Sequence, residues 1–173
     1  MGISLPPLAA GRARTMEPRA PTPPKRVEGM RALSGAGVPG AVLAAPMAPT
    51  LNDHELESIL QASAEAGASV ATYILLRLPR ELQGLFSEWL ETHAPHKAKR
   101  VMSLLSQSRD GRHNDSQFGT RMTGTGVHAK LLGQRFRLAC KKLGLAQADP
   151  GEFRLNVDAF TRPARVGDQL TFL

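Results

Sequence analysis

Two apolar runs of strand length constrain the fold of this chain more than any other feature. One reads "VPGAVLAAP" over residues 38–46, and the other reads "VATYILLRLP" over residues 70–79. A run without polar alternation is typical of a strand buried on both faces, as in a parallel sheet. The segment between the runs has Leu56, Ile59 and Leu60 at helical spacing. Strand, helix and strand in this order predict an α/β fold with a parallel sheet.

Further elements flank these strands. The spacing of apolar residues predicts helices after Pro23 and after Pro79, another around Val101, and a last one that ends before Gly144. The helix after Pro79 is expected to turn five residues inward: Leu82, Leu85, Phe86, Trp89 and Leu90. Thr50 or Asn52 is expected to cap the helix that follows it. "GISL" near the start is a candidate third strand, and two or three strands cannot close a barrel.

Composition favours one domain. The chain has 173 residues, of which 42% are hydrophobic, enough for a single core. No apolar run reaches the roughly 18 to 20 residues of a membrane helix, and the first ten residues lack the order of a signal peptide, so we expect a cytoplasmic protein without a membrane contact. The single cysteine, Cys140, excludes an internal disulfide and a cysteine-built cluster within this sequence. We interpret it as an inert core residue.

Positive charge is concentrated in the last third of the chain. The net charge is +7, and residues 93–142 carry eleven Lys and Arg against two acids, whereas residues 52–92 carry seven acids against two arginines. Such a field attracts polyanions, so DNA is a candidate partner; a merely solvated basic face is the alternative. The candidate nucleic-acid contacts are Arg112, Arg121, Lys130 and Arg135, with Phe118 available for stacking.

Three segments resemble a known family in their order and spacing. They are "EPRAP" at residues 17–21, "APMAPTLND" at 45–53 and "LLRLP" at 75–79. Together they look like the C-terminal half of radical S-adenosylmethionine (radical SAM) proteins related to spore photoproduct lyase. The resemblance implies part of a partial (β/α) barrel over residues 1–92, a basic helical extension over 93–144 and an irregular tail over 145–173.

The same resemblance implies cofactors and site residues. In this family three thiolates of a CxxxCxxC motif hold a 4Fe-4S cluster that binds S-adenosylmethionine, and this sequence lacks that motif. Ser4 would reach the ribose or amino-acid end of S-adenosylmethionine, Glu17 and Arg19 would lie at the rim of the barrel, and Pro46 and Met47 would line the adenine. The alternatives are a turn serine, a Glu17–Arg19 ion pair and strand-end packing.

The last residues and one histidine pair are weaker signals. "QLTFL" loosely resembles the QLxLF peptides with which bacterial DNA-repair proteins bind the sliding clamp, and its contact residues would be Gln169, Leu170, Phe172 and Leu173. Packing of the tail on its own barrel is the alternative. "HAPH" at residues 93–96 offers two imidazoles but no evident third metal ligand.

Three functions follow from these patterns. The first is a radical SAM enzyme, lyase-like and acting on DNA, whose cysteine-bearing half lies outside this sequence, in a separately encoded chain or an upstream segment. The second is a non-catalytic module that binds nucleic acid or protein. The third is an inactive truncated product. In each case we expect the isolated chain to be catalytically inactive, because it lacks the thiolates.

Overall fold

The computed structural model describes residues 1–112 and 114–147. In this part of the chain four strands alternate with six α-helices, and a short 3₁₀ turn, Asp53–Glu55, precedes the third helix. The elements in chain order are β1 (Gly2–Leu5), α1 (Ala10–Met16), α2 (Pro23–Gly35), β2 (Gly40–Met47), α3 (Leu56–Glu65), β3 (Ala68–Leu75), α4 (Leu82–His93), α5 (Pro95–Gln107), α6 (Gly126–Leu143) and β4 (Ala146–Gln147). No helix among them is both long and apolar enough to cross a membrane.

The strands form one parallel sheet in the order β1-β2-β3-β4. Ile3 of β1 lies opposite Val42 of β2, and Leu43 of β2 lies opposite Thr72 of β3. The predicted α/β class with a parallel sheet is therefore confirmed, and the "GISL" segment is a strand. Each strand lies beside the next strand in sequence, so the described sheet is open and its order never reverses.

One face of this sheet carries the main core. Its inward side chains include Leu5, Val42, Ala44, Ala71 and Tyr73, which are all buried. They pack against three helices through Met30 of α2; Leu56, Ile59 and Leu60 of α3; and Leu132 and Phe136 of α6. The three helices thus cover the same face of the sheet.

The opposite face of the sheet, called the open face here, has no such cover from residues 1–112 and 114–147. Because side chains alternate along a strand, this face is formed by Gly2, Ser4, Ala41, Leu43, Val70, Thr72 and Ile74, which are half-buried or exposed, and by Ala45, which is buried. None of these residues belongs to either hydrophobic core cluster. The expectation that the strand starting near Val38 is buried on both faces is therefore wrong for this face.

β2 is the central strand of the described sheet, because it pairs with β1 on one side and with β3 on the other. Within the described residues no strand pairs with the outer edge of β1, and β3 pairs on its far side only with the two residues of β4. The described sheet is therefore open at β1 and along part of β3.

A second cluster forms where α4 and α5 meet the ends of the strands. Leu90 of α4 and Val101 and Leu105 of α5 pack there with residues that follow β2 and β3. Leu82 and Leu85 were expected inward, but they are 45% and 58% exposed. Phe86 and Trp89 also pack against this cluster, as expected, whereas Leu82 and Leu85 do not contact it.

Helix α6 agrees with the expectation. Leu132, Phe136, Ala139 and Cys140 are buried, and the helix ends at Gly144, whose φ of 68° gives the left-handed turn common at helix ends. Since α6 shares the main core with β3, residues 93–144 include a helix that belongs to the sheet domain. β4 then extends the sheet past the boundary expected at residue 144.

A polar group joins α3 and α6. His128 Nε2 lies 3.2 Å from the carboxylate of the buried Asp53, and Arg135 donates to the Asp53 carbonyl at 2.9 Å and to both carboxylate oxygens of Glu57. Burial alone would raise the pKa of Asp53, but hydrogen bonds from His128 and the Thr50 backbone, with the charges of His128 and Arg135, outweigh it, so the pKa is lowered. The hydrogen bond from Arg135 likewise lowers the pKa of Glu57.

Replacing Asp53 tests this polar group. Because the folded pKa of Asp53 lies below the ordinary value of 3.8, its contribution to the free energy of unfolding is present above that value and is lost as pH falls through the folded pKa. Asp53→Asn should therefore destabilise the fold by about 1 to 3 kcal/mol near neutral pH. Urea titrations at neutral and acidic pH measure the difference, which should shrink in acid.

The control is Asp110→Asn, because Asp110 is exposed and accepts a hydrogen bond only from Thr125 within the described residues. It should change the free energy of unfolding by less than about 0.5 kcal/mol. An Asp53→Asn deficit that is equal at both pH values would show that the charge of Asp53 is not the stabilising feature.

Candidate functional site

The candidate site is the carboxyl end of the sheet, where the segments after β1, β2 and β3 meet. In open α/β sheets ligands bind in the crevice outside this end of the strands. Every residue predicted to bind S-adenosylmethionine lies at or near it, because Ser4 is the last residue but one of β1, Pro46 and Met47 end β2, and Glu17 and Arg19 lie between α1 and α2.

Arg26, on the first turns of α2, fixes the loop that contains Glu17. Its guanidinium donates to the Ser4 carbonyl at 2.8 Å, to the Pro21 carbonyl at 2.9 Å and to the Glu17 carboxylate. The Glu17 carboxylate therefore has a partner, and that partner is not Arg19. Arg19 is exposed and makes no ion pair within the described residues. Sequence reasoning missed Arg26, which lies nine residues after Glu17.

The hollow beside Glu17 is small. It has a volume of about 70 Å³ and is lined by Pro6, Ala13 and the loop after α1. That space suits one or two water molecules. This hollow is too small for a ligand of the size of S-adenosylmethionine.

Ser4 is on the open face. Its side chain is exposed, and its hydroxyl donates to the Ala45 carbonyl at 3.2 Å, a bond that ties β1 to β2. Since a hydroxyl also has acceptor capacity, it remains able to contact a ligand on this face.

The end of β2 is held by Asn52. Its amide nitrogen donates to the Pro46 carbonyl at 2.8 Å, and its side-chain oxygen accepts from the Ala48 backbone at 2.6 Å. The expected helix cap by Thr50 or Asn52 is wrong, because the Asn52 side chain bonds the strand end and makes no capping bond, and the Thr50 hydroxyl has no hydrogen-bond partner in the described part of the chain. Met47 is fully buried in the main core, which favours strand-end packing over a ligand contact, whereas Pro46 is half-buried.

Arg109 closes the end of β3 and was not singled out from the sequence. It is 2% exposed and donates to the carbonyls of Leu75, Leu76 and Arg121 at 2.8 to 3.0 Å. Burial lowers its pKa, and the charge of Arg77 lowers it further. The guanidinium of Arg109 therefore bonds backbone carbonyls, and it fixes the loop between α5 and α6 against β3. The Leu75 backbone N–H also donates to the Met122 carbonyl of this loop at 2.8 Å.

The predicted nucleic-acid contacts are not equivalent. Arg112 and Lys130 are exposed, and the Arg121 guanidinium lies 4.9 Å from the centre of the Phe118 ring, which is itself 81% exposed. Arg135 is held by Glu57 and by the Asp53 carbonyl, so it is not free to contact a phosphate.

The residues present do not fit a 4Fe-4S cluster. Cys140 is the only thiol of the sequence, it is fully buried on α6, and burial raises its pKa to about 11, whereas cluster ligands are thiolates. Across residues 1–112 and 114–147, no group of three or more His, Cys, Asp or Glu side chains is placed to hold a metal ion. The clamp-binding candidates Gln169, Leu170, Phe172 and Leu173 lie outside the described residues.

The comparisons with known proteins assign no family. No protein-family model, no curated protein and no solved structure matches this chain. The likeness to radical SAM proteins stays a prediction from the sequence.

Replacing Arg109 tests whether its hydrogen bonds at the end of β3 stabilise the fold. Arg109→Met should leave three carbonyl groups without their donor and destabilise the fold by about 2 to 4 kcal/mol. Arg112→Met is the matched control, because Arg112 is exposed and should shift the free energy of unfolding by less than about 0.5 kcal/mol. Urea denaturation followed by circular dichroism measures both, and equal effects would contradict the role of Arg109.

Proposed function

We propose that this chain is the C-terminal half of a radical SAM enzyme related to spore photoproduct lyase, and that its open face completes the inner wall of the enzyme's partial barrel. The single observation that carries this proposal is that α2, α3 and α6 all cover one face of a sheet whose strands follow in sequence order. The resemblance of the three sequence segments supplies the family.

The order of the strands favours a barrel rather than a doubly wound sheet. Crossovers between parallel strands are right-handed, so strands that follow one another in one direction place all their helices on the same face. A doubly wound sheet reverses direction and has helices on both faces. In a barrel the uncovered face is the inside, which matches the position of Ser4, Leu43 and Thr72 on the open face.

Residues of this chain would position a ligand at the carboxyl end of that inner wall. Ser4 offers a hydroxyl on the open face, and the Arg26–Glu17 pair holds the loop after α1 against the end of β1. Asn52 fixes the end of β2 in the same way. These contacts keep the rim rigid, as ligand positioning requires.

The cluster ligands must come from outside this sequence. Cys140 does not fit the role, and no other cysteine is present. The free edge of β1 is the place where a further strand with its own loop would pair. We therefore expect the cysteine-bearing part to join the sheet at β1.

Reading the coding sequence upstream of the Met1 codon and expressing the longer protein tests this proposal. The upstream region should encode a CxxxCxxC motif followed by a strand and helix pattern. After anaerobic reconstitution the longer protein should hold a 4Fe-4S cluster and release 5′-deoxyadenosine from S-adenosylmethionine under reduction. The chain as given should do neither, because it has no cluster thiolates.

Two variants of the longer protein refine the test. Ser4→Ala should weaken the binding of S-adenosylmethionine by about three- to tenfold, the usual effect of one lost hydrogen bond. Ser69→Ala is the matched control, because Ser69 makes the same kind of bond, 3.2 Å to the Gly40 carbonyl, at the opposite end of the sheet. An upstream region that lacks cysteines, or a cluster formed by the chain alone, would refute the proposal.

Nucleic-acid binding is the second candidate function, and it is compatible with DNA as the substrate. The observation that favours it is the pair formed by Arg121 and Phe118, because an exposed ring beside a guanidinium is the arrangement that stacks on an unpaired base. If the longer protein binds oligonucleotides and forms no cluster, this second function replaces the first.

The C-terminal sequence supports one partner that is independent of catalysis. A peptide of residues 165–173 should bind the bacterial sliding clamp with a micromolar dissociation constant, about −8 kcal/mol. The double substitution Gln169→Ala with Leu170→Ala should abolish binding measured by fluorescence anisotropy. Equal binding by the substituted peptide, or none by the original, would leave the tail without this role.

A further inference from the structure

A cleft at the carboxyl end of the sheet is built by segments that follow three strands. Arg12 and Thr15 of α1 form one wall, Leu51 after β2 forms the floor, and Trp89, His93 and Lys97 of α4 and α5 contribute to the lining. Its volume is about 420 Å³, which lies in the range of pockets that bind small molecules. We call it the rim cleft.

The charge of the rim cleft is positive. Arg12 in its wall donates to the Glu55 carboxylate at 2.6 Å, and the same carboxylate accepts from the Ala9 backbone N–H at 3.2 Å. Lys97 and His96 are exposed on the other wall, where Lys97 contacts the Thr50 carbonyl at 3.2 Å. These two side chains therefore face the cleft without a carboxylate partner among the described residues.

The first turn of α5 adds one backbone donor beside these side chains. Pro95 has no N–H, and the N–H groups of Lys97 and Ala98 donate to the Ala94 carbonyl at 2.9 and 3.1 Å, so among the described residues the N–H of His96 is the one left for a ligand. Backbone N–H groups at a helix start favour an anion, and a phosphate fits them well. The lysine, the histidine and the helix start thus converge on one wall of the rim cleft.

Two aromatic rings, Trp89 and His93, line the cleft and continue a stack of three rings that begins at Phe86. Phe86 and Trp89 are parallel within 6° at 5.9 Å, and Trp89 and His93 are parallel within 13° at 4.9 Å between ring centres. Trp89 also donates to the Thr15 carbonyl at 3.2 Å, which fixes the ring against α1. His93 ends the stack, is exposed, and donates through Nδ1 to the Trp89 carbonyl at 3.0 Å, so its ring plane is held in place.

We propose that the rim cleft binds a nucleotide, with the phosphate at His96, Lys97 and the start of α5 and the base stacked on His93. A held ring beside a cationic wall is the arrangement that recognises unpaired nucleotides, and histidine is among the rings on which bases stack. This site uses only residues of this chain and does not depend on the radical SAM proposal. Free nucleotides and single-stranded nucleic acid share this chemistry.

Trp89 provides the measurement, because it is the only tryptophan of the chain and lies in the rim cleft. Its fluorescence should change saturably when the chain as given is titrated with adenosine monophosphate or with a ten-residue oligothymidylate. Ribose 5-phosphate should bind more weakly than adenosine monophosphate, by about tenfold, because it has no base to stack. His93→Ala should remove that difference.

A matched pair of lysines controls for the general positive field. Lys97→Gln should weaken the binding of adenosine monophosphate by about tenfold, whereas Lys99→Gln, an exposed lysine of the same helix that does not line the cleft, should change it by less than about twofold. Circular dichroism confirms that the variants are folded, as expected for exposed positions.

The same titrations show whether the ligand is a free nucleotide or single-stranded nucleic acid, and which results would overturn the proposal. Tighter binding of the oligothymidylate than of the mononucleotide, with a steep loss of affinity in salt, identifies single-stranded nucleic acid as the ligand. Equal affinity for both, with little effect of salt, identifies a free nucleotide. No saturable change in Trp89 fluorescence, equal effects of the two lysine variants, or equal binding of ribose 5-phosphate would overturn the proposal.

Discussion

The parallel pairing of β2 with β1 and β3 is the constraint on which the rest of the structure depends. It aligns the carboxyl ends of three strands, so the loops after them are brought to one edge, and it directs the connecting helices to one face. The main core follows from this one-sided cover. The open face, the bonds by which Arg26 holds the loop after α1, and the rim cleft are consequences of the same arrangement.

The two apolar runs predicted β2 and β3, but they did not reveal that the described helices cover only one face of each strand. Ala41 and Leu43 are apolar although they lie on the open face. The sequence of β2 therefore shows no alternation of polar and apolar residues, although one of its faces is only half-buried. Small and aliphatic side chains occur both against a core and on the inner face of a barrel, so their presence does not distinguish the two. The amphipathic pattern of α4 likewise predicted that Leu82 and Leu85 face inward, but these two side chains are exposed and do not contact the described cluster.

Side-chain partners were harder to predict than strands. Glu17 and Arg19 are close in sequence, which favoured an ion pair between them, but the turn after α1 and the start of α2 bring Arg26 to Glu17. Arg109 had no local signal, because a buried arginine that bonds backbone carbonyls needs a chain folded around it. By contrast, Cys140 and Gly144 were predicted correctly, since helical spacing and a left-handed turn are local properties.

The positive charge of the last third has a different meaning once its members are placed. Arg109 bonds the end of β3 and Arg135 joins α6 to α3, so both contribute to folding and neither is free for a polyanion. The groups that remain accessible include Lys97 at the rim cleft and Arg121 beside Phe118, in a loop that bonds the end of β3. Both therefore lie near the edge of the sheet where its strands end. A polyanion attracted by this field would therefore meet the chain at the edge of the sheet where the strands end.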